Sequence, residues 1–132
     1  MPIVDKPIQE LLQYQGSTPR PADFDEFWDA RLTQLDGIDP KPELVESSFQ
    51  TSYAECFDLY FTSTKGARIH AKYARPRNSN AKCPAILFFH GYTGDSGDWL
   101  GYLPYVAEGF CIAAMDCRGQ AGLSQDAGGT LG

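Results

Sequence analysis

The sequence predicts an α/β fold in which an antiparallel hairpin leads into a parallel sheet flanked by helices. Residues Ala54 to Thr62 alternate, with Phe57, Leu59 and Phe61 on one face and Cys56, Asp58 and Tyr60 on the other, the period-two pattern of a strand. Two later runs, Pro84 to Phe89 and Phe110 to Met115, are apolar without alternation, as expected of central strands covered by helices on both faces. Between them Trp99, Leu103, Val106 and Ala107 mark a helix closed by Gly109. A right-handed crossover through that helix makes the two apolar strands parallel.

Taken in order, residues 8 to 15 read as a short helix, with Ile8, Leu11 and Leu12 on one side and Gly16 as a stop. A stronger helix follows. Phe24, Phe27, Trp28, Arg31, Leu32 and Leu35 fall at helical spacing, Asp23 and Glu26 make a capping-box pattern, and Gly37 ends it. This helix should lay two or three large rings on a core. Asp39-Pro40-Lys41-Pro42 then breaks the chain, since proline supplies no amide donor and forces its predecessor into extended geometry. Ser63-Thr64-Lys65-Gly66 turns the first alternating strand into a second, with Ile69, Ala71 and Tyr73 against Arg68, His70 and Lys72. Arg75 to Lys82 reads as a polar loop, and Pro104 implies a late start or kink in the helix after the Gly91 to Gly97 loop. About 1–50 is thus expected to be a helical amino-terminal extension, and about 51–132 the first strands of one sheet. The last residues, Ala127 to Gly132, are small and are expected to be weakly structured.

The chain has 132 residues, 42% hydrophobic and 13% aromatic, enough for a core and contrary to disorder. A net charge of -6 with eleven scattered basic residues argues against nucleic acid, whose binders cluster Lys and Arg to release counterions. Arg75 and Arg77 are the closest pair and read as solvated loop charges. No apolar stretch reaches the roughly 20 residues that cross a bilayer. Cys56, Cys83, Cys111 and Cys117 lack CxxC pairing and residues 1 to 132 show no signal-peptide pattern, so all four are expected to be reduced thiols in a soluble, cytoplasmic protein.

The chemistry concentrates at two strand exits. His90-Gly91-Tyr92 closes the first apolar strand, where a glycine lets the backbone turn and aim the next amide into the crevice at the strands' carboxyl ends. Such an amide can serve an oxyanion hole, although a tight glycine turn after a core strand reads the same way. Asp116-Cys117-Arg118-Gly119-Gln120 follows the second strand. Other chemistries fit poorly: His70 and His90 lack the companions of a metal site, no two carboxylates among Asp95, Asp98, Asp116 and Asp126 stand out as a glycosidase pair, and no phosphate-binding glycine loop follows either strand.

Those two exits, separated by a helix, resemble the third and fourth strands of an α/β-hydrolase. Phe24-Asp25-Glu26-Phe27-Trp28, His90-Gly91-Tyr92 and Arg118-Gly119-Gln120 resemble carbohydrate esterase family seven, the acetyl xylan esterases and cephalosporin C deacetylases, from about residue 5 to the end. The resemblance implies hydrolysis of acetyl esters on xylo-oligosaccharides and cephalosporin C, without metal or organic cofactor, by homo-oligomers arranged as hexamers. It implies that the backbone amide of Tyr92 forms half of an oxyanion hole. For Arg118, Gly119 and Gln120 beside His90 and Gly91 it implies a loop-anchoring, structural role. Ala121 stands where the family usually has glycine.

The nucleophile is missing. In the family it sits in Gly-x-Ser-Gln-Gly on a nucleophile elbow, with acid and histidine later in the chain, and no such motif occurs in these 132 residues. Gly122-Leu123-Ser124-Gln125-Asp126 ends in Asp where the elbow needs glycine, so Ser124 reads as a loop serine. Gly94-Asp95-Ser96-Gly97 copies the letters around a trypsin-like serine but has no base, so Ser96 reads as a turn residue, with Asp95 or Asp98 capping the next helix. The chain is therefore expected to be the front part of an esterase, inactive alone, whose companion carboxy-terminal segment brings the triad. The alternative is a non-catalytic binding or assembly module derived from that front half.

Overall fold

The computed structural model describes residues 5–78 and 82–128. Two compact units, residues 1–33 and 34–132, make up the chain. In the first, helix α1 spans Ile8–Leu11 and is shorter than the stretch 8 to 15 expected of it. Gln13 and Tyr14 continue only as turns. Helix α2, Phe24–Asp36, crosses into the second unit and has no buried residue. The expectation that it lays its rings on a core is thus corrected: Phe24, Phe27 and Trp28 stay half exposed. They pack on one another, Phe27 edge-on to Trp28 at 5.5 Å, and Arg31 and Arg20 cover the outer faces of Phe27 and Phe24.

The second unit holds a five-stranded sheet in the order β1-β2-β3-β5-β4. Its strands are β1 (Glu43–Glu46), β2 (Ala54–Thr62), β3 (Arg68–Pro76), β4 (Ala85–Phe89) and β5 (Cys111–Met115). β2 and β3 form the expected hairpin, from Ala54 opposite Pro76 to Thr62 opposite Arg68. β4 and β5 are parallel, as the crossover requires. That crossover is a short 3-10 turn, Trp99–Gly101, and then helix α3, Leu103–Ala107, which Pro104 opens. β1 adds a strand to a stretch read as helical, with Glu43 opposite Tyr60. Four residues behind a Pro-Lys-Pro break are too few to show a period.

The core lies between the sheet and α3, where Ala54, Cys56, Ala74, Val106 and Ile112 are buried and Trp99, Leu103 and Phe110 pack on them. Along β4, Ile86 and Phe88 face this core, while Leu87 and Phe89 are each 63% exposed. β4 was expected to be central and covered on both faces. In the described residues it is an edge strand with one face covered, and Leu87, Phe89 and Met115 border an apolar depression on the other face.

Two further readings change. Cys83 and Cys111 are joined as a disulfide, with Cα atoms 6.2 Å apart, while Cys56 and Cys117 are free. Their 28-residue separation hides the cause: the residues before β4 and at the start of β5 become neighbours once those strands lie parallel. Arg75 belongs to β3 and bonds Glu55 at 2.8 Å. Arg77 is no solvated loop charge, since it donates to Thr51 O, Gln50 Oε1 and Ala54 O and so ties the residues ahead of β2.

Candidate functional site

The parallel strands β4 and β5 both discharge their carboxyl ends into loops, and the candidate site is built where those loops meet. Beyond Phe89, Nε2 of His90 accepts from the Cys117 amide at 2.9 Å. A backbone amide can only donate, so the ring proton sits on Nδ1, which lies 2.7 Å from Gly91 O. His90 thereby couples the exit of β4 to the exit of β5. Gly94 is packed against this ring, since a Cβ there would come 3.1 Å from both Nδ1 of His90 and Gly91 O.

Gln120 makes the second coupling. Its side-chain oxygen accepts from the Thr93 amide at 2.6 Å, holding Thr93 at φ 63°, a left-handed conformation that a β-branched residue seldom takes unaided. Tyr92 stands between these two anchors, 79% exposed. Among the described residues its amide donates to no acceptor, the state of a group available to a developing oxyanion.

Arg118 reaches the other way, with Nη1 2.7 Å from Thr64 Oγ1 and Nη2 2.9 Å from Asp126 Oδ1. Gly119, at φ +69°, permits the turn between Arg118 and Gln120. Ala121 carries no positive φ; the left-handed position falls one residue later, on Gly122 at +101°. Alanine in place of the usual glycine therefore introduces no strain.

Below the loops lies a polar cluster that sequence reasoning missed. Asp116, 1% exposed, accepts from the Ser96 amide at 2.6 Å through Oδ1. Its Oδ2 accepts from the Leu123 amide at 2.8 Å and from Nδ1 of His70 at 2.6 Å. Nε2 of His70 lies 3.0 Å from Oδ1 of Asp58. Burial pushes the Asp116 carboxyl up, but the Leu123 amide, the His70 ring and Ser96 outweigh it and hold the group below the usual carboxylate range. The signal was available in the hairpin register: Tyr60 opposes His70 and Asp58 opposes Lys72, so Asp58 and His70 are diagonal neighbours on one face. What the strand pattern could not supply was Asp116, brought beside His70 by the β3–β5 pairing across 46 residues.

The decoy serines are placed as well. Ser124 Oγ accepts from the His70 amide at 2.9 Å, securing the loop after β5 to β3. Ser96 is 4% exposed, and its carbonyl accepts from the Tyr102 hydroxyl at 2.5 Å. Asp98 caps the 3-10 turn through the Leu100 amide, and Asp95 accepts from Gly97. Among the described residues no group of three His, Cys, Asp or Glu side chains could hold a metal ion.

A mixed sheet whose parallel strands end in a His-Gly loop and an Arg-Gly-Gln loop is the front part of an α/β-hydrolase. The family model for acetyl xylan esterase (AXE1) matches residues 1–131. The chain belongs to the acetyl xylan esterase family. Acetyl xylan esterase 1 from Thermoanaerobacterium sp. JW/SL YS485 is 56% identical and superposes with a TM-score of 0.90 over 97% of this chain. An acetyl xylan esterase from Paenibacillus sp. R4, at 24% identity, shares the fold with a TM-score of 0.83 over 92%. The chain spans 40% of the length of either solved structure.

Proposed function

We propose that this chain is the oxyanion-side portion of a serine-type esterase that removes acetyl groups from xylo-oligosaccharides and from cephalosporin C. The observation that carries the reading is the Tyr92 amide, which among the described residues donates to no acceptor, set between the His90–Cys117 and Thr93–Gln120 anchors. When a serine attacks an acetyl carbonyl, negative charge collects on the carbonyl oxygen. A fixed amide there stabilises the transition state more than the ester, by about 3 kcal/mol per donor.

Residues 1 to 132 alone bring no nucleophile elbow and are inactive by this reading. Serine, acid and histidine belong to a carboxy-terminal portion, beginning with a Gly-x-Ser-Gln-Gly about 50 positions beyond Gly132. The completed protein is a homo-oligomer, hexameric as the family resemblance implies, and needs no cofactor. A second reading, a binding or assembly module, draws on the exposed β4 edge with Leu87 and Phe89 uncovered, since open edges and apolar patches accept partners.

Hydrolysis of p-nitrophenyl acetate separates the two. Both readings expect background rates from residues 1 to 132. Only the esterase reading expects turnover once the remainder is joined or supplied, and an inert completed protein would favour the binding module.

A further inference from the structure

We propose that Asp58, His70 and Asp116 form a positioning relay that fixes the Tyr92 loop against the loop after β5 and so sets the rate of the acetyl-transfer step; this rests on the esterase reading above. The relay runs from β2 through β3 to the end of β5: Asp58 Oδ1 to His70 Nε2 at 3.0 Å, and His70 Nδ1 to Asp116 Oδ2 at 2.6 Å. It ends in two amides from different loops, Ser96 in the loop after β4 and Leu123 in the loop after β5. One carboxylate thus holds both loops, and Ser96 lies four residues from Tyr92.

Three features mark the cluster as more than a satisfied polar pair. His70 and Asp116 are 2% and 1% exposed, where an unmade hydrogen bond is expensive and a completed one is rigid. Gly122 has no Cβ to displace Asp116 from its place. The cluster also floors a cavity of about 250 Å³ that Lys72, Asp95 and Gly97 border. Among the described residues, Asp58 and Tyr60 from β2, Lys72 from β3, Asp116 just beyond β5, and Asp95 with Ser96 from the loop after β4 are the polar groups around the His70 ring. No substrate atom is assigned to the relay; its members are positioning residues.

The test uses the complete esterase containing these residues, with kcat expressed per active site titrated to completion by a fluorophosphonate. Asp116→Asn should lower kcat about 10- to 100-fold, the loss expected when a reacting group is displaced by about 1 Å, while KM changes less than about threefold, because oxyanion contacts strengthen in the transition state. Asp58→Asn, at the more open end of the relay, should lower kcat less, and it serves if Asp116→Asn does not fold. Val106→Ala, a core change away from both loops, should lower the melting temperature and leave kcat per site in place. In proton NMR of residues 1 to 132, the low-field His70 Nδ1 proton should move upfield in Asp116→Asn, and the Ser96 and Leu123 amides should exchange faster.

Unchanged kcat per site in both relay variants would overturn the proposal, as would an equal kcat loss in Val106→Ala at matched melting temperature. An inert wild-type protein would instead defeat the esterase reading. The relay's hold on the two loops would still be decided by the His70 proton and the amide exchange, and unaltered exchange in Asp116→Asn would refute it.

Discussion

At Gly122 a Cβ would lie 2.4 Å from Cγ of Asp116, and the backbone stands at φ +101°. Both facts forbid a side chain, one by collision and the other by backbone strain. Gly122→Ala should therefore destabilise the protein by about 2–3 kcal/mol, read as a lower urea midpoint, and a midpoint within error of wild type would contradict the packing described. The carboxylate it guards sets an acid dependence. Because the folded protein holds Asp116 below the usual carboxylate range, its contribution is fully present above the unfolded value and is lost as pH falls through the depressed folded one. Between about pH 7 and about pH 3 the wild type should lose more stability than Asp116→Asn; equal losses would remove Asp116 from the account of acid unfolding.

Among the elements, the disulfide is the one whose consequence is most easily measured. Cys83 and Cys111 close a 28-residue separation, and a cross-link of that span stabilises by about 2–4 kcal/mol, mostly by restricting the unfolded chain. Non-reducing mass spectrometry should find the protein two hydrogens lighter than its reduced form, and reduction should lower the urea midpoint. Iodoacetamide should then label Cys117 before Cys56, since Cys56 is fully buried and burial pushes its thiol up, against the lowering influence of Arg77. Two carboxamidomethyl groups on Cys83 and Cys111 without reductant would sink the pairing.

The same elements mark how far the sequence could be read. The β2–β3 hairpin and the parallel β4–β5 pair were legible because period-two alternation and unbroken apolar runs report local strand environments. β1 was not, being four residues long. The half-exposed rings of α2 and the single covered face of β4 were beyond reach, because periodicity records which side is apolar and not what packs on it. At the site, His90-Gly91-Tyr92 and Arg118-Gly119-Gln120 were visible as neighbours of strand ends. The bonds joining them, His90 to Cys117 and Gln120 to Thr93, each span 27 residues and depend on the parallel pairing. Arg77, read as a solvated loop charge, and Asp116, for which no partner stood out in the sequence, owe their roles to partners that only the folded sheet brings close.

For the molecule as a whole, one face of the sheet carries α3 and the buried core, the other leaves Leu87, Phe89 and Met115 around an open apolar depression. The chain spans 40% of the length of its solved relatives, and in the proposed enzyme the remainder brings the nucleophile to the Tyr92 amide. Acetate release from acetylated xylo-oligosaccharide, measured for residues 1 to 132 alone and for the completed protein under the same conditions, tests this most directly. The account predicts background release from the short chain and multiple turnovers from the completed one; turnover by residues 1 to 132 alone, or none by the completed protein, would contradict it.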